Sequence, residues 1–205
     1  MSRTDLPHPA HPLVFIRHGE TDWNVVKRLQ GRTDIPLNDT GRGQARRNGA
    51  VLREHLRASG HDVEDHVLLA SPLGRARETA EIVAATLGVD PVRIRFDERL
   101  AEIRFGTWEG HSLAEIEATR PDEFAPRRLA PYTHRPPGGE SYADVAERLE
   151  GLLSALAGPA ILVSHGGVSR ALRALLTGID GPDIATLPVP QDQFFHWHAG
   201  EGRWI

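Results

Sequence analysis

Short apolar runs alternate with amphipathic stretches along this chain. Leu13 to Ile16, His66 to Ala70 and Ala160 to Val163 read as buried strands. Val92, Ile94 and Phe96 alternate with polar neighbours, which predicts a half-exposed strand over 92–96. Asn38-Asp39-Thr40-Gly41 offers helix N-cap chemistry, and Ala45, Val51, Leu52 and Leu56 keep helical spacing to about Ala58, where Ser59-Gly60 ends it. Ser71-Pro72 opens a second helix to about Leu87, with Gly88 at its end. Ser141 to Leu156 is amphipathic and helical, and another helix follows from about Val168 to Leu176. Phe194 to His198 and Arg203 to Ile205 suit a closing hairpin around Gly200 and Gly202. Strands alternating with helices predict an α/β fold: a three-layer α/β/α sandwich with a mostly parallel central sheet.

Two stretches escape this alternation. Trp23 to Asn38 has no clean period and contains Gly31 and Pro36, so it reads as a loop. Residues 100–140 carry Pro121, Pro126, Pro131, Pro136 and Pro137 and read as an irregular excursion capping one edge of the sheet, with a short helix near Ser112 to Arg120. No linker or repeat divides the chain, so residues 1–205 read as one domain with a polar tail over 1–12.

Composition narrows the function. The chain has 205 residues, 40% hydrophobic and 25% charged, with a net charge of −4. That balance fits a globular protein, and without a basic block it argues against nucleic acid or an anionic membrane surface as partner. There is no cysteine, which removes disulfides and thiolate metal sites. No stretch approaches a membrane span, and residues 1–12 lack the apolar core of a signal peptide, so a cytoplasmic location is expected. Lys27 is the one lysine; the other 23 basic residues are arginine. An arginine therefore signals function here only where its position argues for it.

The chemistry gathers at three strand ends. The first strand ends in Arg17-His18-Gly19, the second runs into Ser71-Pro72-Leu73-Gly74-Arg75, and the third ends in Ser164-His165-Gly166-Gly167. In an open α/β sheet, ligands bind just past the carboxyl ends of the strands. Two histidines in near-matching settings suggest one site containing both. Arg75 falls near a helix start, where a cation gains nothing from the helix dipole but an anionic ligand would account for it. A lone histidine after a strand is more often structural than catalytic; the pairing and the arginines change that balance.

Six segments together resemble the histidine phosphatase superfamily, also called the phosphoglycerate mutase-like family. They are Arg17-His18-Gly19-Glu20-Thr21, Leu37 to Ala45, Ser71 to Ala80, Leu100 to Gly110, Pro137 to Ser141 and Ser164 to Gly167, in that order over roughly residues 13 to 177. The resemblance implies that His18 attacks phosphorus and becomes phosphohistidine. It implies that Arg17, Arg75 and His165 hold the phosphoryl oxygens, and that Asn24 donates a further hydrogen bond. Glu102 matches the general acid, which later activates water. Gln30 and Gly31 match the family's substrate-loop pair, and Gly166 follows the second histidine in the substrate pocket. The implied chemistry uses no metal and no cofactor.

Within the family, mutases return the phosphoryl to substrate and phosphatases give it to water. Mutases carry a basic insertion after the acid loop with adjacent arginines and a lysine. This chain has no lysine there, and Arg127-Arg128 echoes the pair without its flanking sequence. Phe105 stands where mutases usually have tyrosine, and Gly167 where they usually have asparagine. These departures favour a phosphatase acting on a small phosphorylated metabolite. A 2,3-bisphosphoglycerate-dependent phosphoglycerate mutase and a non-catalytic phospho-ligand-binding module are the alternatives. Arg104 and Arg173 are open as substrate contacts, and oligomeric state is open too. His196 and His198 share one face of a strand and could pair on a metal, although a solvated face is the commoner outcome. The remaining histidines outside the pair, among them His55, His61 and His111, are expected at the surface. Trp108, Trp197 and Trp204 are expected in the core or at its rim.

Overall fold

The computed structural model describes Pro9 and residues 11–179 and 181–205; most of the tail expected over 1–12 lies outside these. Six strands form one sheet: β1 (Leu13–Arg17), β2 (Val67–Ala70), β3 (Arg95–Phe96), β4 (Ala160–Ser164), β5 (Phe194–His198) and β6 (Glu201–Trp204). Their spatial order is β3-β2-β4-β1-β5-β6. The first four run parallel, and β5 and β6 add an antiparallel edge.

The pleat sorts the apolar runs into two layers. Leu13, Phe15, Ala160 and Leu162 face α6 (Tyr142–Leu153) and α7 (Gly166–Thr177). Val14, Ile16, Ile161 and Val163 face α2 (Asp39–Ala58) and α3 (Gly74–Leu87). The expected three-layer sandwich is thus present, and the continuous apolar runs follow from strands covered on both faces. Trp108 and Trp197 are fully buried in the first of these layers, and Trp204 packs at its margin.

Several elements differ from expectation. The strand expected over 92–96 is reduced to Arg95–Phe96. Pro91–Arg93 instead form a 3-10 turn, capped by the Asp90 side chain accepting from the Val92 N–H, and Val92 is 82% exposed. The loop expected from Trp23 to Asn38 begins with a one-turn helix, α1 (Asp22–Val25), held by a capping box between Thr21 and Asn24. Residues 100–140 contain α4 (Leu113–Thr119), as expected near Ser112, and also α5 (Pro121–Leu129), which was not expected. Pro121 opens α5, where a missing N–H costs nothing. Pro126 sits only five residues further on, so it removes a single internal bond. The hairpin turns at Ala199-Gly200, both with positive φ (52° and 83°), the geometry of a type I′ turn.

Candidate active site

Strand register brings the two histidines together. β1 and β4 are parallel neighbours with Arg17 opposite Ser164, so His18 and His165 are the next residues on each. The His18 N–H donates to the Ser164 carbonyl at 2.8 Å, and the ring centroids lie 5.1 Å apart. β2 flanks β4 on its other side, which delivers Ser71 to the same edge; its N–H donates to the Val163 carbonyl at 3.0 Å.

Two contacts assign the His18 tautomer. Nδ1 lies 2.7 Å from the Gly19 carbonyl, so it carries the proton. Arg75 Nε donates to Nε2 at 3.3 Å, so Nε2 presents its lone pair. Burial, with the Arg75 and Arg17 guanidiniums nearby, holds the ring well below the usual imidazole range. His18 is therefore neutral, with a nucleophilic nitrogen facing a guanidinium.

His165 is fully buried, and its Nε2 lies 2.7 Å from Ser71 Oγ. Ser71 Oγ also accepts the Leu73 N–H at 3.3 Å, and its hydroxyl proton can be given to His165 Nε2. In that arrangement His165 Nδ1 carries the proton, and among the described residues it has no partner. Burial, then Arg75 and His18, push this ring down as well.

The arginines are fixed by backbone carbonyls. Arg75, fully buried, donates from Nη1 to the Thr33 carbonyl at 2.9 Å and from Nη2 to the Gly31 carbonyl at 2.8 Å. Asp34 lies 3.6 Å from Nη1. Arg17 donates from Nη1 to the Val189 carbonyl at 2.8 Å, while its buried Nε has no partner. Desolvation lowers the Arg17 pKa to about 10, which leaves it charged at neutral pH.

Asn24 Oδ1 accepts from the Thr21 N–H at 3.1 Å, the Thr21 hydroxyl at 3.2 Å and Gln191 Nε2 at 3.1 Å. Its amide NH₂ remains available as a donor. Gln30 donates from Nε2 to Thr21 Oγ1 at 2.8 Å, and its buried Oε1 is unpartnered. Glu102, 8% exposed, accepts from the Ile103 N–H at 2.9 Å through Oε1 and from the Gly167 N–H at 3.3 Å through Oε2. Gly167 lies in the first turn of α7, whose N-terminus opens on the site with His165 as N-cap.

A cavity of about 120 Å³ lies over His18. Arg17, Asn24, Gln30, Arg75, Glu102 and Gly166 line it, joined by Arg28, Leu29, Phe105, Gly167 and Arg170. Every expected site residue comes to this place. Two enter differently: His165 lies behind the lining with its ring tilted 59° to that of His18, and Gly31 contributes its carbonyl to Arg75.

Sequence reasoning missed Gln191 and Arg170, and it gave no role to Thr21 and Glu109, which stand inside two of the six matching segments. Gln191 Nε2 also donates to the His18 carbonyl at 3.0 Å. Glu109 joins two loops, accepting from the Phe105 N–H at 3.1 Å, the Arg32 N–H at 3.2 Å and the Thr33 hydroxyl at 3.0 Å. No local pattern marks Gln191 or Arg170, because their partners come from other segments of the chain, His18 for Gln191 and Leu187 for Arg170. Arg173 lies elsewhere: it donates to the Pro188 carbonyl at 2.7 Å and sits over the Phe195 and Trp204 rings. Arg104 is exposed and outside the cavity lining. The surface expectation fails for His66, which is 2% exposed with Nδ1 2.9 Å from the Asp62 carbonyl. His55 and His196 are half-buried, edge to face at 4.8 Å. Among the described residues no group of three or more His, Asp or Glu gathers at metal-binding spacing.

Comparison with known proteins places the chain in a family. The family model described as histidine phosphatase superfamily (branch 1) matches residues 13–205. A glucosyl-3-phosphoglycerate phosphatase of Mycobacterium tuberculosis is 36% identical over 181 residues, covering 82% of this chain and 75% of the relative. A probable phosphoglycerate mutase of Salmonella paratyphi C is 37% identical over 174 residues, covering 82% and 75%. The solved structure of a mycobacterial glucosyl-3-phosphoglycerate phosphatase complexed with VO3 superposes with a TM-score of 0.76 at 32% identity, covering 96% of both chains.

Proposed function

From the premise that this chain belongs to the histidine phosphatase superfamily (branch 1), and is a phosphatase like its relatives, we propose that it hydrolyses small phosphomonoesters through a phosphohistidine on His18. One observation carries the reading. Arg17 Nε and His165 Nδ1 are buried beside His18 with no partner. Buried polar atoms left open are rare and costly, and phosphoryl oxygens would satisfy the Arg17 Nε–H and, with the proton on Nδ1, His165 as well.

The residues divide the work in two half-reactions. His18 Nε2 attacks phosphorus in line as the P–O bond to the leaving group breaks. Glu102, as the carboxylic acid, gives its proton to the departing oxygen. The Gly19 carbonyl faces Nδ1–H and stabilises the charge that grows on the ring. Arg17, Arg75, His165 and the Asn24 amide hold the equatorial oxygens, aided by the N-terminus of α7. In the second half, the Glu102 carboxylate takes a proton from water, the water oxygen bonds to phosphorus, and the P–N electron pair returns to Nε2. Inorganic phosphate leaves.

A mutase reading draws on the Salmonella relative's name. Against it, Arg127 stacks towards Tyr142 and Arg128 towards Phe124 and Glu117, away from the cavity. The test is a hydrolysis screen over a panel of phosphoesters, including 3-phosphoglycerate with and without 2,3-bisphosphoglycerate. Wild type should release phosphate and yield an acid-labile phosphoenzyme, and His18→Ala should do neither. Turnover by His18→Ala at the wild-type rate would refute the mechanism. A cytoplasmic setting belongs to the same proposal and is checked by cell fractionation.

A further inference from the structure

We propose that Arg170 is a specificity-determining residue that selects phosphoesters bearing a carboxylate near the phosphoryl group. This deepens the phosphatase reading and rests on it. Arg170 follows Gly166 by four residues on α7, so both lie on the helix face that meets the cavity.

Its guanidinium is oriented without being neutralised. Nε donates to the Leu187 carbonyl at 3.1 Å. The next two carbonyls of this strap, Pro188 and Val189, take Arg173 and Arg17. Three guanidiniums are thus seated on three consecutive carbonyls, and none of these contacts supplies a negative charge. Among the described residues no carboxylate pairs with Arg170. Two other cavity arginines do have carboxylates: Glu115 lies 3.7 Å from Arg28, and Asp34 lies 3.6 Å from Arg75.

Arg170 and Arg17 also converge. A Cβ on Gly166 would lie 3.5 Å from Arg17 Nε and 3.8 Å from an Arg170 Nη. Two like charges flank one bare backbone position, and among the described residues Glu102 is the single carboxylate lining the cavity. The phosphoryl oxygens already have Arg17, Arg75, His165 and Asn24. The Nη pair of Arg170 is left over, a planar two-donor fork whose stem is held in place. That shape matches the two oxygens of a carboxylate.

The experiment compares kcat/KM for 3-phosphoglycerate and glycerol 3-phosphate, which share a three-carbon skeleton and differ in the carboxylate. An aryl phosphate serves as internal reference, and wild type, Arg170→Leu and Arg170→Lys are assayed by released phosphate. Wild type should favour the carboxylated ester. Arg170→Leu should lower that preference about 10- to 100-fold, the worth of a charge-assisted fork. Arg170→Lys should recover part of it. A wild-type preference near one, or a preference unchanged in Arg170→Leu, overturns the proposal. So does an equal loss on all three esters, which would assign Arg170 to the phosphoryl. Hydrolysis of the aryl phosphate alone overturns the proposal and leaves the phosphatase reading intact. Failure of wild type on every ester, with no phosphoenzyme, overturns both.

Discussion

Gly167 donates its backbone N–H to Oε2 of Glu102 at 3.3 Å, and a Cβ on Gly167 would stand 2.6 Å from Oε1. The proposed general acid is therefore seated against a position that only glycine fills without displacing it. A side chain there would also press on Ile103, which is fully buried.

Gly167→Ala should displace the carboxyl and lower kcat by about 100-fold, the usual cost of an ångström-scale misplacement. KM should change little, because the oxygen-binding residues stay in place. Steady-state kinetics on an alkyl phosphate ester, whose leaving oxygen needs the proton, measures this, with a thermal melt to confirm folding. An unchanged kcat would remove Glu102 from the acid position.

Glu102→Gln separates the two half-reactions. An aryl leaving group departs without a proton, so phosphorylation of His18 should persist. Dephosphorylation needs the base and should slow by about 10²- to 10⁴-fold. A rapid-mix experiment should then show a burst of phenol and accumulated phosphoenzyme. Loss of the burst along with turnover would contradict the role switch.

Arg75→Lys keeps a charge but cannot reach the Gly31 carbonyl, the Thr33 carbonyl and His18 Nε2 together. We expect kcat/KM to fall by about 10²- to 10³-fold, as for loss of one preorganised donor at developing charge. Isothermal titration with vanadate or phosphate should show weakened binding. Full activity in Arg75→Lys would show that charge alone suffices.

Acid should destabilise the fold through its buried histidines. His18, His165 and His66 are held below 6.5 chiefly by burial, and His196 is pushed down to about 4 by burial and its neighbour His55. Below pH 6.5 the unfolded chain takes up protons that the folded chain refuses. Stability from these groups is thus complete above 6.5 and is lost as pH falls towards the folded values, by at most about 1.4 kcal/mol per pH unit for each histidine. Thermal melts at pH 7.5, 6 and 5 should show a falling Tm; a flat profile would contradict the assignment. For the same reason kcat/KM should show no acid limb at 6.5 from His18.

Gln191→Ala probes a residue invisible to pattern reading. It removes the donor to the His18 carbonyl and to Asn24 Oδ1, leaving both less restrained. A loss of about 1 kcal/mol of stability is expected from the missing hydrogen bonds. The Asn24 amide could then turn, so phosphate affinity should fall together with it. A stability loss with unchanged phosphate affinity would limit Gln191 to a structural part.

The sequence by itself determined the layering, because strands covered on both faces must be apolar throughout and helices must show one apolar stripe. It also carried the two histidines, Arg17 and Arg75 at the strand ends, while Glu102, Asn24 and Gln30 were legible only through the family resemblance. It misread 92–96, where apolar alternation concealed a proline-initiated turn, and it missed α5, where proline density concealed a helix start. The tertiary structure alone decided what distant segments do to one another. Parallel register set His18 beside His165. Gly19 and Gly41 lie so close that a Cβ on Gly19 would be 2.7 Å from the Gly41 Cα, which brings the α1 turn and α2 together. The strap at 187–191 clamped Arg17 and His18 from more than a hundred residues away, and Arg170 from 17. Local patterns encode burial and backbone preference. Which tautomer His18 holds, and which charges stay unpaired around it, depends on long-range contacts that no local pattern records.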